Sequence, residues 1–169
     1  MTGASTRARA RAIAEAVPDP EFPQLTVADL GILREVAFIG RRAVVTITPT
    51  YTGCPAVQVI RNELRRRLGA AGFDDVEVRT SLSPAWTSDW ITDEGRQKLA
   101  AAGVAPPHAA PVRSAGPVPL TLVRSAPTVP CPRCASPDTL RQSAFGATAC
   151  RALYRCRLCG EPFEYLKEI

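Results

Sequence analysis

Two short runs of β-branched and apolar residues, ILREVAFI (32–39) and AVVTITPT (43–50), are separated only by Gly40, Arg41 and Arg42. Runs of that length, bounded by turn residues, predict two strands joined as a hairpin. From Pro55 to about Ala71 the period changes. Val57, Ile60, Leu64, Leu68 and Ala71 recur three or four positions apart, which predicts an amphipathic helix. Arg61, Glu63, Arg65 and Arg67 fall mostly on other faces, and Glu63 precedes Arg67 by four positions, the favourable order for a helical ion pair. Gly72 is a natural stop. DVEVRTSL (75–82) returns to period two and predicts a third strand, and TDEGRQKLAAAG (92–103) predicts a short helix capped by Thr92. The order β-β-α-β-α implies an α+β class: a small mixed sheet with helices on one face. Upstream, prolines 18, 20 and 23 bar a regular helix from VPDPEFPQLTVADLG, with Gly31 as punctuation. Residues 1–15 read as an N-terminal tail or a first helix.

After residue 103 the pattern fades. The segment 104–130, GVAPPHAAPVRSAGPVPLTLVRSAPTVP with its leading Gly103, is rich in Pro and Ala and predicts a linker. It separates an α/β domain at 16–103 from a cysteine-rich module at 131–169. In that module, Cys131 and Cys134, then Cys156 and Cys159, form two Cys-x-x-Cys knuckles with 21 residues between them. Two residues between thiols let a tight turn aim both sulfurs at one ion, and two such turns complete a tetrahedral four-sulfur site. Zinc is the expected metal and its role structural, because all four positions are taken by protein. Spacing alone leaves iron open. About 40 residues hold together poorly without such a staple. ATACRALYRC and EPFEYLKEI predict strands of this module, and Cys150 reads as a buried strand residue rather than a ligand.

The sixth cysteine stands alone in TPTYTGCPA (48–56). Gly53 permits an unusual backbone dihedral where the strand ends, and Pro55 suits the first helical position. Cys54 is then expected at the helix N-cap, facing free N–H groups that would hold its pKa below the free value of about 8.5. Two readings follow: a reactive thiol or soft-metal ligand, or a cysteine used as a small apolar cap. The only histidine, His108, falls in the linker as a surface residue, so a Cys–His hydrolase is not expected. Trp86, Asp89 and Trp90 crowd LSPAWTSDWI (82–91), either closing the core over the sheet or forming a partner-binding patch.

Bulk properties narrow the class. The chain has 169 residues, a net charge of +5 and six cysteines. No apolar run reaches the length of about 18 residues needed to span a membrane, and the arginine-rich N-terminus resembles a secretory signal poorly. A cytoplasmic protein with reduced thiols is expected. The arginines are scattered and little interleaved with aromatic residues. Nucleic acid is therefore not the expected partner; the RRR of the helix reads as a solvated face.

DPEFP, VADLGILREV, TITPTYTGCPA and LSPAWTSDWI, followed by CPRC and FGATACRALYRCRLCGEPF, closely resemble the PaaD (PaaJ) family encoded with the phenylacetyl-CoA epoxidase. The first domain is similar to the wider metal–sulfur cluster biosynthesis family that includes SufT. The resemblance covers nearly the whole chain beyond residue 15, apart from the linker. It implies a non-catalytic maturation factor that assists assembly or delivery of iron–sulfur or di-iron centres to the reductase and oxygenase components. The alternative is a structural subunit of the oxygenase complex. The family motif positions fall on Asp19, Pro20, Glu21, Asp29, Leu30, Gly31, Thr50, Gly53, Cys54 and Pro55, and Cys54 corresponds to the family's reactive cysteine, a transient ligand for a cluster or iron. One thiolate cannot hold a 2Fe–2S centre, which takes four ligands. A cluster there would be shared with a client, another thiol or a second copy in a homodimer. Ala135 stands where such knuckles more usually carry glycine.

Overall fold

The computed structural model describes residues 3–109 and 128–168, which divide into two compact units, the first comprising residues 3–98 and the second residues 99–109 with 128–168. In the first unit, helix α1 (Gly3–Glu15) precedes the proline-rich entry, buries Ala10 and Ala14, and packs on β1 and α2. Strands β1 (Leu33–Ile39) and β2 (Arg42–Ile47) form the expected hairpin, with Val36 opposite Val45 and Phe38 opposite Ala43. Strand β3 (Val76–Thr80) pairs parallel to β2, giving a three-stranded sheet in the order β1-β2-β3. A parallel pair cannot be closed by a tight turn, and helix α2 (Ala56–Ala70) supplies the crossover. β2, paired on both sides, buries Val44, Val45 and Ile47.

The α2 stripe is narrower than its periodicity suggests. Ala56, Ile60, Leu64 and Leu68 are buried, whereas Val57 and Ala71 are only half-buried. Glu63 binds Arg67 at 2.6 Å as expected, and Arg66 as well, at 2.7 Å. The two guanidinium hydrogen bonds, Arg66 first, pull the Glu63 carboxyl down to about 2. A short 3₁₀ turn (Ser88–Trp90) leads into α3 (Asp93–Ala101), whose first turn is capped as predicted: Gly95 N–H donates to Thr92 Oγ1 at 3.0 Å.

The second unit is a four-stranded sheet in the order β4-β7-β6-β5, made of β4 (Val104–Ala105), β5 (Thr139–Ser143), β6 (Arg151–Cys156) and β7 (Pro162–Leu166). The two strands read from the alternation are β6 and β7. The structure departs from the expected boundary at 131. Val104 and Ala105 pair with Glu164 and Tyr165 of β7, and Val129 is 1% exposed in the unit's apolar core beside Tyr154, Phe163 and Tyr165. The sheet recruits these residues because a small module needs apolar cover for the outer edge of β7. The rest of the expected linker, 110–127, lies outside the described residues. His108 is exposed, as expected; its backbone N–H donates to Glu168 at 3.2 Å and its Nε2 lies 3.0 Å from the Thr128 carbonyl.

Leu64, fully buried in α2, and Val59, 53% exposed in the same helix, make a matched pair. Leu64→Ala is expected to destabilise the first unit by about 3 kcal/mol, and Val59→Ala by less than about 0.5 kcal/mol. Urea unfolding followed by tryptophan fluorescence checks both.

Candidate functional site

β2 ends at Ile47, Thr48 and Pro49 follow it, both buried, and the chain turns through Tyr51 to Gly53, where φ is +86°. Cys54 N–H donates to the Tyr51 carbonyl at 3.3 Å, and the Cys54 carbonyl accepts from Val57 at 3.3 Å. The helix therefore starts one residue later than expected: Pro55 (φ −66°, ψ −26°) is the cap and Ala56 the first helical residue. Cys54 still lies within the opening turn and is half-buried.

The electrostatics of that thiol differ from the expectation. Burial pushes the Cys54 thiol above the usual range, and the carboxylates of Glu21 and Asp19 push it the same way. The Ala56 N–H and the Thr50 hydroxyl, which favour thiolate, offset part of this. The expected low-pKa thiolate is thus replaced by a neutral thiol flanked by acids. The helix terminus was legible in TGCP; the opposing signal, DPE, was legible too, but its carboxylates come from a segment about 30 residues upstream. Asp19 is held in place by its own turn, where Oδ1 accepts the N–H groups of Glu21 at 2.9 Å and Phe22 at 3.0 Å.

Asp29 plays another part. Its Oδ2 accepts Thr26 N–H at 2.8 Å and Lys98 Nζ at 2.9 Å, while Thr26 Oγ1 accepts Asp29 N–H at 3.1 Å. Burial would raise its carboxyl, but these hydrogen bonds outweigh it and hold the carboxyl below the ordinary range. Its backbone carbonyl accepts Thr92 N–H at 2.9 Å. Next to it, Gly31 (φ +66°) lies under Trp90, so close that a Cβ would meet Trp90 Cβ at 2.5 Å. Trp86 is 3% exposed and donates Nε1–H to the Leu30 carbonyl at 2.9 Å. Arg34 covers the Trp90 ring at 3.5 Å. Trp86 therefore belongs to the core and Trp90 to a packed lid on the Asp-Leu-Gly turn, while Asp89 is exposed. Of the residues singled out in the sequence, Asp19, Glu21, Thr50, Gly53 and Pro55 gather around Cys54; Asp29 and Trp86 brace the fold instead.

The four knuckle cysteines do converge. The sulfurs of Cys131, Cys134, Cys156 and Cys159 all lie within 4.8 Å of one another, with Cys131–Cys159 at 3.8 Å and Cys134–Cys156 at 3.6 Å. Cys131 and Cys156 are buried, Cys134 and Cys159 exposed. Both knuckles close the same way: Ala135 N–H donates to Cys131 O at 2.8 Å and Gly160 N–H to Cys156 O at 3.1 Å. Each closing residue takes a left-handed backbone, Gly160 at φ +77° and Ala135 at φ +57°. Cys159 N–H points at Cys156 Sγ at 3.5 Å, and this donor, with that of Leu158, pulls the Cys156 thiol down. Four convergent sulfurs, with N–H groups stabilising negative charge, suit one tetrahedral metal ion. Cys150 is buried and lies outside the group, its Sγ 3.1 Å from Thr148 Oγ1.

Two measurements probe these sites. Iodoacetamide labelling of Cys54, followed by peptide mass mapping, is expected to be slow at neutral pH and to climb at higher pH than that of an exposed cysteine peptide. Glu21→Gln should move that rise to lower pH, because it removes a charge opposing the thiolate. At the knuckle, a left-handed alanine costs about 1–2 kcal/mol, so Ala135→Gly should raise the thermal midpoint of the metal-loaded second unit and slow metal loss to a chelator.

The matches to known proteins follow the two units. Residues 7–80 match the family model described as iron-sulfur cluster assembly protein. Residues 115–167 match the one described as PaaD zinc beta ribbon domain. A protein of Escherichia coli (strain K12), named as a subunit of a "Putative 1,2-phenylacetyl-CoA epoxidase", is 44% identical over 156 residues, covering 92% of this chain and 89% of its own. A crystal structure of a domain of unknown function, DUF59, from Bacillus anthracis is similar at 26% identity and a TM-score of 0.52, over 57% of this chain and 92% of that one. The solution structure of Rv1466 from Mycobacterium tuberculosis, titled as a protein associated with Fe-S complex assembly and repair, is 32% identical over 61% of this chain and 94% of that one, with a TM-score of 0.33. With a cluster-assembly-type α+β domain ahead of a four-cysteine ribbon, and a relative matched along nearly its whole length, this chain belongs to the PaaD family of phenylacetyl-CoA epoxidase proteins.

Proposed function

We propose that the chain is a non-catalytic accessory factor of a phenylacetyl-CoA epoxidase, assisting assembly or delivery of iron–sulfur or di-iron centres to its reductase and oxygenase components. The observation that carries this reading is Cys54, a half-buried thiol outside the four-thiol group, set between Thr50 and the acids Glu21 and Asp19. Carboxylates that oppose a bare thiolate attract a cation, and a metal that binds there displaces the thiol proton. The site thus suits a metal centre better than it suits nucleophilic attack on carbon. A lone thiolate holds an iron–sulfur centre only with thiols from elsewhere, so the cargo is shared with a client or with a second copy of the chain and passes on. The match to a cluster-assembly family model and the name of the Escherichia coli relative support the same direction.

In this reading the ribbon binds zinc through Cys131, Cys134, Cys156 and Cys159, serves as structure, and helps dock the client. Zinc is preferred to iron because a closed four-cysteine site needs no redox change to staple a small fold. Free thiols in this number fit the reducing cytoplasm. Among the described residues no helix is long and apolar enough to cross a membrane.

A second reading, a purely structural component of the oxygenase, draws on the word "subunit" in the relative's name. The two part at Cys54. In cells dependent on this chain for growth on phenylacetate, Cys54→Ala is expected to slow growth and lower the iron content of the purified reductase or oxygenase. Normal growth and normal iron, with stoichiometric co-purification of the oxygenase, would overturn the maturation role in favour of the structural one.

A further inference from the structure

In the first unit a cleft of about 560 Å³ opens among the early turns of α1, the β1–β2 turn and the turn that ends α2. That volume lies inside the usual range for small-molecule sites, about 300–1,000 Å³. Its apolar wall is Phe38 and Phe73, both half-buried, with ring centroids 6.0 Å apart and planes inclined by 51°. Arg9 is fixed against that wall, its guanidinium 5.7 Å from the Phe73 ring centre and its Nη2 donating to the Ala71 carbonyl at 2.8 Å. Packing of α1 accounts for Arg9 and Phe73.

It does not account for Arg7 and Arg41, which are exposed and also line the cleft. Of the two acids at the mouth, Asp75 is taken by Arg42 at 3.0 Å, leaving Asp74. Among the described residues neither Arg7 nor Arg41 has a carboxylate partner. Gly40 and Gly72 leave open space where a side chain would otherwise stand. The lining thus sets guanidinium forks, which match carboxylate and phosphate geometry, beside aromatic surface that takes a planar ring offset or edge-on.

We infer that this cleft binds a small ligand in which a carboxylate or phosphate is joined to an aromatic ring. The anion meets Arg7 and Arg41, and the ring packs on Phe38 and Phe73. Cys54, Thr50, Asp19 and Glu21 are not among its lining residues, so the inference stands apart from the proposed maturation role.

The full-length, metal-loaded chain is titrated with 1-naphthoate, 1-naphthyl phosphate, 1-naphthol and inorganic phosphate, by calorimetry and by backbone amide NMR. One or both aryl anions are expected to bind and to shift the amides of Gly40, Gly72 and Phe73, and whichever binds identifies the anion. The exposed-residue variant R7A/R41A should weaken that binding about tenfold or more, the loss expected for charge-assisted contacts, with its thermal midpoint unchanged. The inference is overturned if neither aryl anion binds below about 10 mM, or if R7A/R41A binds as tightly as the parent. It is equally overturned if naphthol matches the anions, which removes the role of charge, or if inorganic phosphate does, which removes the role of the ring.

Discussion

The first unit hangs on a single turn, Asp29–Gly31. The Asp29 carboxylate closes the turn on Thr26 and reaches Lys98 in α3, while its carbonyl receives the N–H of Thr92 at the start of that helix. Gly95 sits so near that a Cβ would approach the same carbonyl to 2.7 Å. Gly31 leaves room for Trp90, and the Leu30 carbonyl takes the Trp86 indole N–H. The Asp29 and Leu30 carbonyls, which burial would strand, are therefore answered by a segment roughly 60 residues later in the chain. The turn also aims the chain into β1, and β2, paired to β1, ends at the Cys54 loop. Approach distance requires glycine at 95, and at 31 approach distance and a left-handed backbone both do.

The two kinds of thiol in this protein sit in opposite fields. In the ribbon, backbone N–H groups point at sulfur and the sulfurs face one another, so deprotonation and a bridging cation reinforce each other. At Cys54, one N–H and a hydroxyl compete with burial and two carboxylates. The first arrangement suits a bound metal ion. The second opposes a bare thiolate.

Much of this was legible in the sequence, for physical reasons. The hairpin, α2 and β3 announce themselves because each buries one face, and period follows burial. Cys-x-x-Cys is legible because the two sulfurs of a knuckle are fixed by a local turn. What escaped was set by distant chain. The charge around Cys54 depends on Glu21 and Asp19; the burial of Trp86 depends on the Leu30 carbonyl. Neither is a property of the local window. β5 escaped because its positions are mostly exposed, leaving no alternation to read, and β4 because two residues carry no period. Val57 and Ala71 continued the helical pattern, yet the sheet beneath α2 covers only a narrower stripe.

The ribbon is discontinuous along the chain: its sheet draws β4 from the very start of the Pro- and Ala-rich segment and its other three strands from after it. An expression fragment cut at the first knuckle would keep all four metal ligands yet leave the outer edge of β7 without its partner strand. That edge would then be free to recruit another chain. On the ribosome, by contrast, Val104 and Ala105 emerge well before Glu164 and Tyr165 of β7, the residues that give them a place.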